Sequence, residues 1–200
     1  MRVIGLTGGI ASGKTLVSQQ LAERGAVVID ADKVGHQAYR KGTETYRAVV
    51  EAFGPHVVAS DGEIDRRALG ARVFAEPEAR RRLEEIVCPA LRAMMEEQLA
   101  ALRSEGIAVA VLEAALLIEA DWLPLVDEVW LVLVSPEKAR QRLIARNGLT
   151  EEQAEQRLQS QLTNDERRPH ATLVIENDGS REELGRTVDE AWSKLEMQVG

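Results

Sequence analysis

Two hundred residues, 44% of them hydrophobic, suit one compact domain with room for an inserted subdomain. The formal net charge of −8 argues against a general nucleic-acid binder, which carries a basic excess or stripe. A single cysteine, Cys88, excludes an internal disulfide and fits a reducing compartment.

Met1 and Arg2 lead straight into an apolar run expected as a strand over 3–7, with no span for a leader peptide, so the expected location is cytoplasmic. Gly8, Gly9, Ile10, Ala11, Ser12, Gly13, Lys14 and Thr15 then spell a complete G-x-x-x-x-G-K-T phosphate-binding loop. Leu16, Val17 and Leu21 resume at helical spacing, so strand, glycine-rich turn and helix follow in the order such a site requires. The glycines let backbone N–H groups face an anion, and the helix beginning near Gly13 adds unpaired N–H groups and its positive dipole end. Lys14 can reach the outer phosphates, and the Thr15 hydroxyl suits Mg²⁺. A nucleoside triphosphate with Mg²⁺ is the expected ligand.

A second strand over 26–30 closes at Asp30, with Asp32 just beyond. Ligands of open α/β sheets bind at the carboxyl ends of strands, where a carboxylate can accept the proton of an attacking hydroxyl. Strand alternation would turn Asp30 and Asp32 to one side, to cooperate over a hydroxyl or a hydrated Mg²⁺.

The interval 32–104 is too long for one crossover helix and reads as a helical insertion. Ser60, Asp61 and Gly62 mark a turn, and Asp65 is placed to cap the next helix. Leu83, Ile86, Val87, Ala90, Leu91, Met94, Met95, Leu99 and Leu102 keep one face apolar at the helical period, with a kink or a new helix expected at Pro89. A third strand over 107–114 lacks the adjacent acidic pair of a motor ATPase, and its interruption by Glu113 leaves an apolar run too short to cross a bilayer. A fourth strand over 128–134 precedes a helix starting after Ser135 and Pro136, on which Arg142 and Arg146 share a face and Arg140 is read as solvated. Cations there would meet charge on a transferred phosphoryl group.

Residues 146–170 form a polar, helix-forming arm, either a solvated hairpin or a lid that closes over ATP. A fifth strand over 172–176 and a last helix over 180–197, started by a Ser180/Glu183 capping box, complete the chain. Strands that are apolar throughout and separated by helices specify an α/β fold with a mainly parallel five-stranded sheet in three layers. His36, His56 and His170 lack ligand spacing, so no protein-bound transition metal is expected.

The segments 5–15, 30–32, 65–69, 116–119 and 174–177, in that order, resemble the dephospho-CoA kinase family over essentially the whole chain. The pairing of the loop with Asp30 and Asp32, and with Gln161 in the arm, makes the resemblance selective. It implies a P-loop kinase core (1–31, 105–145 and 171–200), a helical domain for the CoA precursor (32–104) and a lid (146–170). It further implies transfer of the ATP γ-phosphate to the ribose 3′-hydroxyl of dephospho-CoA. By the same resemblance Asp32 is the general base, Lys14 holds phosphates, Arg142 and Arg146 serve the lid side, and Asn177 lies near the adenine. Arg66, Leu116 and Glu119 fall on the family's segments as acceptor-binding residues beside Asp30 and Asp32, and Gly8, Gly9, Ala11, Ser12, Gly13, Thr15 and Leu16 form the ATP cradle.

Ala11 stands where the family has Gly, at a variable loop position where little should be lost. Cys88 replaces a common His, Ala115 a common Pro, and Thr172 a frequent Asp. The residues by themselves leave open another P-loop small-molecule or nucleoside monophosphate kinase, and a non-enzymatic nucleotide switch. Small-molecule substrates, no membrane or nucleic-acid partner, and a monomer or weak homo-oligomer complete the expectations.

Overall fold

The computed structural model describes residues 1–199, and the side chains of all of these except those at 74, 198 and 199. Five strands, β1 (Arg2–Thr7), β2 (Val27–Asp30), β3 (Val109–Glu113), β4 (Glu128–Leu133) and β5 (Leu173–Glu176), form one sheet in the order β2-β3-β1-β4-β5. All four pairings are parallel. Parallel neighbours need crossovers, and the helices that supply them cover the sheet, so β1, β3 and β4 are buried almost end to end. This is the α/β architecture expected from the apolar runs.

Helices α1 (Lys14–Glu23) and α9 (Arg181–Val199) share one core with the sheet. Val17 and Leu21 of α1, and Leu184, Val188 and Trp192 of α9, meet Ile4, Val111, Trp130 and Ile175. Gly5 points to the opposite face, where a Cβ would stand 2.7 Å from Leu117 and 3.0 Å from Val126, so any side chain there would push Leu117 aside. Ser180 and Glu183 form the expected reciprocal cap of α9.

Three strands begin later than expected, β2 by one residue, and β3 and β5 for identifiable local reasons. Ile107 donates its N–H to Leu102 O at 3.1 Å, after Gly106 at φ +77°, and so closes the preceding helix instead of opening β3. Thr172 Oγ1 accepts the Val129 N–H at 3.0 Å and donates to Val129 O at 3.0 Å, so this departure from the family pattern secures the entry to β5.

The chain divides into two compact units, Met1–Asp30 with Ala100–Gly200, and Ala31–Leu99. The second contains α2 (Ala31–Val34), α3 (Glu44–Phe53), α4 (Arg66–Ala75) and most of α5 (Pro77–Ser104). Its core joins Val49, Phe53, Val57, Ile64 and Leu69 to Val87, with Leu83, Ile86, Ala90, Leu91 and Met94 packed against them. The apolar stripe is therefore packing. Asp65 caps α4 by accepting from the Arg67 and Ala68 N–H groups at 2.9 and 3.0 Å.

Of the kink or new helix expected at Pro89, the new helix is not found: α5 runs through Pro89 as one helix. Pro89 and Glu85, four residues earlier, both face solvent, where water can reach the carbonyl that proline cannot serve. Cys88 is half-buried beside it, and burial, then Glu84, pushes its thiol pKa up, away from nucleophile duty.

Helix α6 (Pro136–Asn147) follows β4 and ends on Gly148 at φ 64°. The arm beyond it holds α7 (Glu151–Gln159) and α8 (Asn164–Arg167), each opened by a threonine capping box. Among the described residues no helix is long and apolar enough to cross a membrane.

Candidate active site

Thr7 ends β1 with its side chain fully buried, and the loop from Gly8 to Gly13 turns the chain into α1. Gly8 admits no side chain, because a Cβ would lie 2.3 Å from Val132 O. Gly13 adopts φ 98°, and a Cβ there would strike the Asn177 amide at 2.2 Å. Ala11 sits at φ 59°, in the left-handed region. The expectation that alanine costs little at this position is corrected, since an L-residue is strained there by about 1–2 kcal/mol.

Lys14 Nζ donates to Gly8 O at 2.9 Å and Gly9 O at 3.3 Å, which holds the ammonium over the loop entrance. Asn177, buried just past β5, donates from Nδ2 to Ser12 O at 2.7 Å. Its amide braces the loop, a task the resemblance, which put it near the adenine, did not indicate. Arg142 on α6 donates to Asn177 O at 2.8 Å and Ala11 O at 3.4 Å, so the guanidinium spans both. Beside it Ser135 donates to Asp178 Oδ1 at 2.7 Å, and this bond, ahead of the other influences, lowers the Asp178 pKa.

Between these elements lies a cavity of about 360 Å³, lined by Ala11 through Leu16, Arg142, Arg146, Asn177, Gly179 and Arg181. Nine of the residues expected around ATP therefore converge on one recess. Gly8 and Gly9 lie outside its lining and contribute the carbonyls that hold Lys14. Arg146 is exposed, its Nε donating to Asn147 Oδ1 at 3.0 Å. Gly179 and Arg181 were missed, and the turn into the last helix carried no charge pattern to single them out.

Glu113 was also missed. Its carboxylate, 3% exposed, accepts from Thr15 Oγ1 at 3.0 Å and from Ser18 Oγ at 2.6 Å. The signal was present, a lone acid closing an otherwise apolar strand at the sheet's carboxyl edge, but a search for paired acids passes over it. With its proton committed to Glu113, the Thr15 oxygen keeps lone pairs for a cation. No group of three or more His, Cys, Asp or Glu among the described residues could hold a metal. A hydrated Mg²⁺ carried in by phosphates, which asks for one or two protein oxygens, fits this donor set.

Asp30 and Glu113 are register partners at the ends of β2 and β3. The strand alternation expected to align Asp30 with Asp32 does not apply. β2 stops at Asp30 and α2 begins at Ala31, so Asp32 lies exposed in a helical first turn and in the second unit. Arg66 is the first residue of α4, exposed, and Leu116 is half-buried.

Glu119 is engaged within the first unit, accepting from Arg167 Nη2 at 3.2 Å. Arg167 is 1% exposed, also donates to Leu162 O, and has a buried Nε without a partner. Burial lowers its pKa, and Glu119 opposes that shift. It stands beside the loop, its Nη1 3.6 Å from where a Cβ on Gly9 would lie. From the same arm Gln161 Oε1 accepts the Ile10 N–H at 2.8 Å. The arm is thus tied to the loop by the Gln161 amide and to Glu119 by a buried cation, and no sequence signal separated Arg167 from its exposed neighbour Arg168.

A family model described as dephospho-CoA kinase matches residues 2–183. A dephospho-CoA kinase of Geobacter sulfurreducens is 50% identical over 194 residues, covering 97% of this chain and 98% of the relative. Among solved structures, the Thermus thermophilus protein TT1252 has a TM-score of 0.79 at 34% identity, with 97% of both chains covered. A dephospho-CoA kinase from Campylobacter jejuni gives 0.72 at 27% identity, with 98% of both chains covered.

Proposed function

Since the chain belongs to the dephospho-CoA kinase family, we propose the following division of labour for its residues. The activity is ATP-dependent phosphorylation of dephospho-CoA: the ribose 3′-hydroxyl attacks the γ-phosphorus, the bond from that phosphorus to the β,γ-bridging oxygen breaks, and CoA and ADP leave. The segments 1–31, 105–145 and 171–200 bind the nucleotide, 32–104 the acceptor, and the arm 146–170 closes over ATP. The enzyme works in the cytoplasm on small molecules, as a monomer or weak homo-oligomer.

The loop cradle carries this reading. Gly8 and Gly13 bring backbone close to an anion as no other residue could, and Lys14 is already held at the loop's mouth by carbonyls it can exchange for phosphate oxygens. Arg142, fixed by Asn177 O and Ala11 O, presents its charge to the phosphate chain without further ordering. Arg146 adds a second cation on the same helix face.

Thr15, oriented by Glu113, would hold Mg²⁺ together with the ATP phosphates. When bound, the cation neutralises charge on the β- and γ-oxygens. Asp32 takes the proton of the acceptor hydroxyl, and Asp30, with Arg66, Leu116 and Glu119, serves the acceptor side.

A coupled assay of ADP release over a panel of acceptors tests the assignment. Turnover with dephospho-CoA and none with nucleoside monophosphates is expected. The reverse pattern would reassign the acceptor, and ADP release indifferent to any acceptor would leave only a slow nucleotide hydrolase.

A further inference from the structure

The nucleotide recess carries two residues that phosphate binding does not account for, Gly179 and Arg181. Phosphates held at Gly13, Lys14 and Thr15 leave the nucleoside to the walls supplied by α6 and by the turn from β5 into α9. Arg142 is committed at the boundary, bonded to Ala11 O and Asn177 O. Asn177 is occupied too: its Nδ2 donates to Ser12 O at 2.7 Å and its backbone N–H to Leu133 O at 2.8 Å. Gly179 presents bare backbone, because a Cβ there would run into Glu183 Oε2, which caps α9 by accepting the Ser180 N–H at 2.7 Å. Among the lining residues of this turn, Arg181 is the side chain left to meet a base.

Arg181 is exposed, with its guanidinium open to an incoming ligand. It is the first residue of α9, where a positive charge opposes the helix dipole, so helix stability does not explain it. Glu182 and Glu183 beside it supply the charge that this end of a helix favours. The lining holds no carboxylate: its ionised groups are Lys14, Arg142, Arg146 and Arg181, and all of them only donate. Adenine and guanine meet such a wall differently. Both purines offer the N7 acceptor, whereas position 6 is a donating amino group in adenine and an accepting oxygen in guanine. A guanidinium fits O6 and N7 of guanine with two parallel bonds, and on adenine finds one acceptor beside an opposing donor.

We propose that Arg181 sets the choice of phosphoryl donor and lets this enzyme use GTP as well as ATP. The inference rests on this recess being the nucleotide site. Arg181 reads O6 and N7 of guanine from the open end of the recess, while ATP keeps the contact to N7 alone. The same triphosphate occupies the loop in both cases, so the transfer is unchanged. The acceptor hydroxyl loses its proton to Asp32 and attacks the γ-phosphorus, the bond to the β,γ-bridging oxygen breaks, and GDP leaves in place of ADP. Arg181 contributes affinity for the base and takes no part in the phosphoryl step.

The experiment compares kcat/KM for ATP, GTP, CTP and UTP with dephospho-CoA as acceptor, in wild type, Arg181→Lys and Arg181→Leu, with thermal melts as a check on folding. The fluorescent nucleotides mant-GDP and mant-ADP, titrated without acceptor, give the base preference separately. Wild type should use GTP with a kcat/KM within about tenfold of that for ATP, since no carboxylate in the lining favours the adenine amino group. Arg181→Leu should lower kcat/KM for GTP by about 5- to 10-fold, the low end for a bidentate arginine–guanine contact at an exposed site, and that for ATP by less than about twofold. Arg181→Lys should lose nearly as much, because an ammonium keeps the charge without the fork. The loss should appear in KM for GTP and in mant-GDP affinity, with kcat kept. GTP use below about a hundredth of ATP use, full retention by Arg181→Lys, or equal losses for all four nucleotides would overturn the assignment. Mant-nucleotide binding with the expected preference, beside no turnover of dephospho-CoA, would instead strike the acceptor assignment and leave this inference standing.

Discussion

Removing the Glu119 carboxylate should cost the fold more than removing the arginine it neutralises. Arg167 keeps 1% of its surface and the Glu119 side chain 23%, with 3.2 Å between Nη2 and Oε1. At that separation an effective dielectric of about 20 gives roughly 5 kcal/mol of attraction. Water reaching the carboxylate offsets part of this, leaving about 3 kcal/mol, the low end for breaking a buried pair. Glu119→Ala would strand a guanidinium whose Nε already lacks a partner. Its melting temperature should fall by roughly 6–12 °C, at about 2–4 °C per kcal/mol for a chain of this size. Arg167→Met removes the buried charge and lets the carboxylate turn to water. Its cost, chiefly the bond to Leu162 O and the ion-pair attraction less the relief of desolvation, should be about 1–2 kcal/mol. The double variant should resemble Arg167→Met alone, so a double-mutant cycle by chemical denaturation should show about 3 kcal/mol of coupling. Costs that add to within about 0.5 kcal/mol, or an Arg167→Met variant less stable than Glu119→Ala, would refute the reasoning.

Asp32→Asn should lower kcat by about 10², the modest end for a general base when the transition state is dissociative, with KM for both substrates little changed. Asp30→Asn is its partner in stopped-flow and steady-state assays at saturating Mg²⁺; a dead Asp30 variant beside an active Asp32 variant would move the base to Asp30. Ala11→Gly should raise the melting temperature slightly. Relief of about 1–2 kcal/mol of left-handed strain outweighs the roughly 0.4–1 kcal/mol that glycine adds to unfolded-state freedom, and a lower melting temperature would contradict this. Asp178 has a lowered pKa because Ser135 hydrogen-bonds its carboxylate, so its stabilisation is present above the ordinary carboxyl pKa and is lost as pH falls through the folded value. The gap in melting temperature between wild type and Asp178→Asn should therefore be open at neutral pH and close as the solution is acidified below the carboxyl range. A gap independent of pH would exclude this carboxylate as the source.

What was legible in the sequence is what depends on neighbours along the chain. The loop declares itself in Gly8 through Thr15, because a turn from strand to helix around an anion needs glycines and a lysine at fixed spacing. The five strands show as apolar runs because the sheet is buried on both faces. Asp65 and Ser180 announce their caps because a cap is a contact within three residues. Pro89 starts no new helix for the complementary reason: proline penalises a helix locally, but whether a helix ends there depends on whether water can reach the freed carbonyl.

Tertiary structure decided which polar residues act, and against what. Glu113 is an ordinary strand-ending acid until β3 lies beside β1, which brings it to Thr15, 98 positions away in the chain. Arg167 and Arg168 are adjacent and chemically identical. Folding buries the first between Glu119 and the loop and leaves the second at the surface. Asn177 reaches Ser12 across 165 positions because β5 ends at the same sheet edge as the loop. Hydrophobic period and turn chemistry are set over a few residues, so one sequence suffices to read them. The partner of a buried charge is set by strand order and crossover, which local sequence does not encode, and only the folded chain could show that Arg167 of the arm pairs with Glu119 and that Gln161 meets the loop.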